Sequence, residues 1–284
     1  MNVDEGAYAL LRHWMDERER VRLRKEAGDA QPWTTDPIIA EWRFCNVNRC
    51  DDRETKWIFK HIIGKHAASP LLWFNLCVAR FVNWSPTLAC IGYFDEWDRD
   101  LFVQEIEALQ KTKEKVYTGA YMVPAGPAGT LKHVYLADVV FNKLWSLREQ
   151  TPQNGACADW DRFLRQAPLM GDFLRNQVIT DLRYTHHLRR ETTPDWETFI
   201  LPGPGTQRGL NRLHGAQLTK SWTAADASAA LQALRARVVS EAPQYVETLR
   251  DINNLSNCMC EFDKYLRVLN GEGKPRARYS SRTS

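Results

Sequence analysis

An all-α fold follows from three features of the 284-residue sequence. Apolar residues recur at helical spacing, convincing alternating strands are almost absent, and helix stops and starts are marked, as by Gly28 and Pro37. A hydrophobic content of 44% is enough for a real core.

The elements follow in order. Asp4 to Gly28 carries Ala7, Leu11, Trp14 and Val21 on one stripe, flanked by Arg18, Arg22 and Lys25, and Gly28 suits a C-terminal stop. A loop, AQPWTTDP, leads into a helix that starts at Pro37, runs through Ile38, Ile39, Trp42 and Phe44, and ends near Asn46 to Arg49. Helices are predicted over Asp52 to Ile63 and Pro70 to Val82, the second apolar nearly all round and therefore central to the core. Tyr117 to Gly129, with two prolines and three glycines, reads as a loop or short hairpin. Further helices are predicted over Leu131 to Glu149, Ala158 to Arg165, Gly171 to Tyr184, Pro204 to Leu213, Ala224 to Ser240 and Cys258 to Leu269. The expected organisation is one helical domain over 1–270, with lobes of roughly 1–116 and 130–270, followed by a basic flexible tail over 271–284.

The net charge of +3 is concentrated in that tail, where Lys274, Arg276, Arg278 and Arg282 face Glu272 alone. Such a tail is suited to phosphate, because each neutralising cation releases counterions. Seven cysteines without paired spacing argue against a secreted disulfide framework, and Cys258-Met259-Cys260 lacks the second pair a zinc site wants. Neither metal nor cofactor is expected. The N-terminus lacks a basic start and apolar stretch, and no run approaches the roughly 18 apolar residues of a membrane span. The expected location is the cytoplasm.

The feature that points most directly to nucleic acid is LPGPGTQRGLN, from Leu201 to Asn211. It reads as a short helix entering a turn with two glycines and then a second helix. Glycines allow positive φ and close approach to bare backbone, and the new helix adds its positive dipole end, so phosphate is the natural ligand. Gly203, Gly205, Arg208, Asn211 and Arg212 are the expected DNA contacts, with Lys274 and Arg276 from the tail. The pattern resembles the helix-hairpin-helix of base-excision DNA glycosylases, which implies a two-lobed helical domain like theirs. A tight interhelical turn without a ligand is the alternative. A P-loop is excluded, since no GxxxxGK[ST] occurs.

Three polar groupings could carry chemistry. Gln177 and Asp181 share a helical face at i,i+4, offering an amide to read a flipped pyrimidine and a carboxylate to act as base. Asn257, Glu261 and Lys264 share a stripe, and a carboxylate beside an ammonium can bind a zwitterion or move a proton; Asp263 and Arg267 read as an ordinary ion pair. Arg43, Asn46, Arg49 and Asp52 fall every third residue along one face if the helix from Pro37 continues. Asn83 closes the apolar helix. Taken alone, Gln177 and Asp181 read better as a local side-chain pair or a cap, Asn257, Glu261 and Lys264 equally well as a surface charge network, whereas solvated faces rarely resemble the run from Trp42 to Arg53.

Taken together, RFCNVNRCDDRETKWI, PLLWFNLCVARFVNWSPTL, MGDFLRNQVITDL, PGPGTQRGLNR and CEFDKYLRVLNGEGKPR occur in that order from about Trp33 to Arg278. They resemble the phage-associated alpha-glutamyl/putrescinyl thymine pyrophosphorylase family, also described as the helical domain of 5-hydroxymethyluracil DNA kinases. Cys50 stands where the family's first block implies an acid; Asp51 and Asp52 adjoin it.

The resemblance implies thymidine hypermodification in bacteriophage DNA, in which 5-hydroxymethyluracil is phosphorylated and the phosphate is displaced by an amine. Without a P-loop, the kinase step falls to a separate DNA kinase, a partner. The expected activity is that of an amino acid:DNA transferase acting on 5-phosphomethyluracil in double-stranded DNA, with free glycine, another amino acid or a polyamine as co-substrate. Catalytic roles are expected for Glu261, Asp181, Lys264 and Asn257, and substrate contacts for Arg43, Asn46, Arg49, Asp52, Asn83 and Gln177. Covalent help from Cys45 is a further option. The alternatives are a glycosylase-like base-excision enzyme and a non-catalytic DNA-binding partner of the kinase.

Overall fold

The computed structural model describes residues 2–112, 115–119, 126, 127, 129–153, 155–275 and 277–279. Its helices are α1 (Glu5–Glu26), α2 (Pro37–Glu41), α3 (Arg53–Ile58), α4 (Leu72–Val82), α5 (Ser85–Ile91), α6 (Arg99–Lys111), α7 (Lys132–Tyr135), α8 (Asn142–Ser146), α9 (Cys157–Leu164), α10 (Asp172–Leu182), α11 (Pro204–Leu213), α12 (Ala224–Glu241) and α13 (Ile252–Leu269). Five-residue-step π-helical turns continue α3 over Phe59–Ile63 and join α7 to α8 over Leu136–Phe141. Extended pairing among the described residues is confined to one antiparallel bridge, Trp42 with Arg278. The fold is therefore all-α.

The chain divides into two units, Met1–Asp52 with Glu197–Ser284, and Arg53–Trp196. The division falls at 52/53 and 196/197, not in the glycine- and proline-rich stretch 117–129, of which 120–125 and 128 lie outside the described residues. The first unit is discontinuous because α13 returns to pack against α1 and α2. The expected tail is also partly structured: Arg43 N donates to the Ala277 carbonyl at 3.0 Å and Tyr279 N to the Glu41 carbonyl at 3.0 Å. Arg278 pairs with Glu41 and lies 4.6 Å over the Trp42 ring, while Arg276 and Arg282 lie outside the described residues.

In the first unit the core holds Leu11, Trp14 and Val21 of the predicted α1 stripe, joined by Met15 and closed by Leu255, Cys258, Met259 and Phe262 of α13. The α1 helix begins where the Asp4 carboxylate accepts from Ala7 N and ends before Gly28, whose φ of +80° a side chain would strain. Helix α13 starts at Ile252, six residues before the sequence pattern suggests, because the Asp251 carboxylate caps Asn253 N at 3.0 Å. Along α11, a Cβ on Gly205 would collide with the Cys260 sulfur, and one on Gly209 would lie 2.6 Å from the Met259 carbonyl carbon. These glycines let two helix backbones approach.

The second unit is organised around α4, all eleven of whose residues are buried. Phe74 and Phe81 meet Phe141 edge-on at 6.4 and 5.5 Å, and Phe102 completes the cluster at 5.2 Å from Phe141. Among the described residues, no helix is long and apolar enough to cross a membrane.

Gly209→Ala is expected to lower stability by about 2 kcal/mol or more through overpacking. Gly203→Ala, at φ −67° with nothing within 4 Å of the added Cβ, should stay within about 0.5 kcal/mol of the parent. Urea denaturation followed by circular dichroism measures both.

Candidate active site

Helix α2 stops at Glu41, so the helix expected through Phe44 does not form and the three-residue stripe is not a helical face. Trp42 turns extended (φ −104°, ψ 144°) and a short 3-10 turn follows over Arg49–Asp51, capped by Asn48. Arg43 leaves the grouping: it is exposed and stacks over Tyr279 at 5.4 Å. Asn46, Arg49 and Asp52 nonetheless come together, because Asn46 N donates to Asp52 Oδ1 at 2.9 Å and the Arg49 guanidinium acts on the Asp52 carboxylate, while Arg49 N donates to Asn254 Oδ1 at 3.0 Å.

Helix α1 supplies the organising cation. Arg18, 5% exposed, donates Nε to the Phe44 carbonyl at 3.1 Å and Nη2 to Asn46 Oδ1 at 2.7 Å; its buried Nη1 has no hydrogen-bond partner. Sequence reasoning placed Arg18 among the flanking charges, yet it stands seven residues after Leu11, on the buried register of the stripe. That register was the available signal.

Helix α13 supplies the acid. Glu261, 2% exposed, accepts from Cys45 N at 3.2 Å and from Lys264 Nζ at 2.5 Å. Asn257 lies one turn before it, and its buried Nδ2 also has no hydrogen-bond partner. Burial pushes the Asp52 carboxyl up to about 6; Asn46 N–H and the Arg49 and Arg18 guanidinia oppose the rise, and Glu261 adds to it. Burial works against the Lys264 ammonium, but Glu261, together with Cys45 and Cys260, holds that pKa above the usual lysine value. Burial, with Glu261 and Asp52 beside it, drives the Cys45 thiol well above the ordinary range, which counts against a nucleophilic thiolate there.

The remaining residues predicted for catalysis or substrate contact belong to the second unit. Asp181 does not stand open as a base: Arg80 grips it with Nε and Nη2, each at 2.5 Å, and both side chains are 1% exposed. Asn83, in the left-handed region at φ 45°, accepts from Arg80 Nη1 at 3.3 Å, and Thr55 accepts from Nη2 at 3.2 Å. Gln177 is buried one turn before Asp181 on α10. A lone charged residue in the mostly apolar α4 was the sequence signal for this pair. An open groove of about 530 Å³ beside Tyr93, Trp97 and Arg99 holds none of these residues.

The glycine segment differs from its reading. Residues 190–192 and 194–198 form turns and 199–203 lack helical structure, so no helix precedes the turn. Gly203 caps α11 with negative φ, and Gly205 faces Cys260, not open backbone. Arg208 Nε and Arg212 Nε donate to the two oxygens of fully buried Asp263 at 2.9 and 2.8 Å, and Arg212 also binds Glu272. Asp263 therefore pairs with α11, not with Arg267 as spacing suggested. Asn211 is fully buried, donating Nδ2 to the Lys220 carbonyl at 2.8 Å and accepting from Trp222 Nε1 at 2.6 Å. It braces a loop. Lys274 is exposed. Among the described residues, no three His, Cys, Asp or Glu side chains gather as metal ligands.

A family model described as the helical domain of 5-hmdU DNA kinase matches residues 5–274. A curated relative, the 5-hmdU DNA kinase of Bacillus phage SP10, is 25% identical over 219 residues, which make up 68% of this chain and 34% of that protein. The chain thus spans about a third of that relative's length. No solved structure matches.

Asp52 has a raised folded pKa, so its contribution to stability is full below pH 3.8 and is lost as pH rises through about 6. Denaturation across pH 4 to 7 should show a decline on the order of 2 kcal/mol that Asp52→Asn abolishes. Asp181→Asn, which strands a buried guanidinium, should lower stability by about 3–5 kcal/mol in urea melts, marking a structural role.

Proposed function

We propose, because the chain belongs to the 5-hmdU DNA kinase helical-domain family, that it acts in thymine hypermodification of phage DNA as an amino acid:DNA transferase. The substrate is 5-phosphomethyluracil in duplex DNA, and the donor is the amine of an amino acid, glycine first among them. The observation that carries this reading is the mixed-charge cluster of the first unit, in which the Asp52 and Glu261 carboxylates stand among Arg18, Arg49 and Lys264.

The chemistry asks for three things: a base for the ammonium proton, cations for the departing phosphate, and amides for a pyrimidine rotated out of the stack. The donor ammonium gives a proton to Asp52 or Glu261. Its nitrogen then bonds to the methylene carbon as the carbon–oxygen bond breaks, and the electron pair leaves with phosphate. With Asp181 engaged by Arg80, the base falls to the first unit. Asp52 suits it, since a carboxyl titrating near 6 is ionised at neutral pH yet accepts a proton more readily than an ordinary aspartate. Arg49 and Lys264 serve the phosphate, Asn257 the donor, and Asn46 the pyrimidine edge.

A second reading, a DNA-holding domain that serves a kinase, is favoured by the match to one part of a much longer kinase and by the lack of GxxxxGK[ST] in these residues. Full DNA binding without turnover, and a rise in kinase activity on mixing, would support it.

Purified protein incubated with 5-phosphomethyluracil duplex and glycine, followed by nucleoside mass spectrometry, should show the glycine adduct. Asp52→Asn or Glu261→Gln should slow its formation by about 100-fold or more. The parent rate should rise with pH through about 6, as Asp52 ionises, and level off above. No mass gain with any amino acid or polyamine overturns the transferase reading.

A further inference from the structure

With Arg208 and Arg212 bound to Asp263 and Glu272, the glycine segment offers phosphate less charge than its sequence promised. In the second unit, cations gather on the outer face of α3 and the π-helical turn that continues it. Arg53, Lys56 and Lys60 are exposed there, and exposed Lys65 follows. Positions 53, 56, 57, 60, 61 and 64 share one side of a helix at steps of three and four.

Between Arg53 and His66 the sequence has four such cations and one acid, Glu54. Glu54 is held inward, accepting from Ser85 N at 2.6 Å and pairing with Arg53, which stays 71% exposed. Among the described residues, no carboxylate lies within ion-pairing distance of Lys60, Lys65 or Lys115.

Aromatic rings lie between the charges. Trp57 and His61 stack at 4.7 Å with planes 19° apart, and Trp84 carries Arg53 at 4.9 Å and Lys115 at 4.2 Å. Lys132 lies over Tyr117 at 4.1 Å nearby in sequence to Lys115. The His61 imidazole titrates below its usual value, from desolvation and then from Lys65 and Lys60, as a locally positive field requires. Flat rings interleaved with exposed cations fit a phosphate backbone, with the rings against sugar or base and the cations on oxygen. From Arg53 to Lys60 the helix rises about 10 Å, enough to meet more than one phosphate of a strand.

We propose that this face of the second unit, formed by Arg53, Lys56, Lys60, Lys65 and Lys115 around Trp57 and Trp84, binds the phosphate backbone of duplex DNA. It rests on the reading of the chain as a DNA-modifying domain. None of these residues belongs to the mixed-charge cluster or to the glycine segment.

Fluorescence anisotropy with a fluorescein-labelled duplex, titrated at several salt concentrations, tests it. The Lys60→Glu/Lys65→Glu variant should bind about 10-fold or more weaker than the parent and flatten the dependence of log Kd on log salt by about two. The milder Lys60→Gln/Lys65→Gln variant should shift both in the same direction, and circular dichroism should show both folded. Variants that match the parent in Kd and salt slope overturn the surface and leave the transferase reading intact, since the mass assay reads that separately. A parent protein that binds no duplex overturns the surface as well. A weakened variant together with no mass gain in any assay overturns the reading instead and keeps the surface.

Discussion

The close approach of α11 to α13 governs the first unit. Gly205 and Gly209, one turn apart, remove the side chains that would hold the helices apart, so α11 rests directly on the backbone at Met259 and Cys260. Fully buried Asp263 then receives both Arg208 and Arg212, and Thr206 Oγ1 donates to the Ser256 carbonyl at 3.0 Å. A carboxylate so deep is tolerable because two guanidinia meet it. With one face of α13 fixed in this way, the face bearing Asn257, Glu261 and Lys264 is turned toward the chain at Cys45.

That second face meets a strand-like segment held by three anchors. Arg18 reaches it from α1, the Asp52 carboxylate closes it on Asn46, and residues 277–279 run antiparallel to 41–43. Carboxylates and cations are thereby crowded where water is scarce, which moves Asp52 toward neutral pH and strengthens the ion pair of Lys264. An elevated carboxyl is a strained arrangement for the fold and a useful one for proton transfer.

The second unit handles charge differently. Its interior arginines are closed off, Arg80 by Asp181, Asn83 and Thr55 and Arg175 by Asp161, while Arg53 and Lys115 are kept on the surface around the partly exposed Trp84. One arrangement orders a core; the other leaves positive charge available to a large polyanion. Both draw on the first and second sequence blocks, where Arg53 at the start of α3 and Arg80 in the last turn of α4 look alike before folding.

The sequence by itself determined the all-α class, the stripe of α1, the fully buried α4 and the start of α11 at Pro204, because helical periodicity and capping are local properties of the chain. It also marked Asn46, Asp52, Glu261 and Lys264. Tertiary structure decided what each candidate residue is packed against. Arg43 was drawn off by Tyr279, Asp181 was taken by Arg80, and Asn211 was buried under Trp222. Gly205 and Gly209 serve helix packing, and Arg18 became the centre of the cluster. Each of these outcomes depends on a contact between residues eleven or more positions apart, and helical spacing carries no record of such contacts.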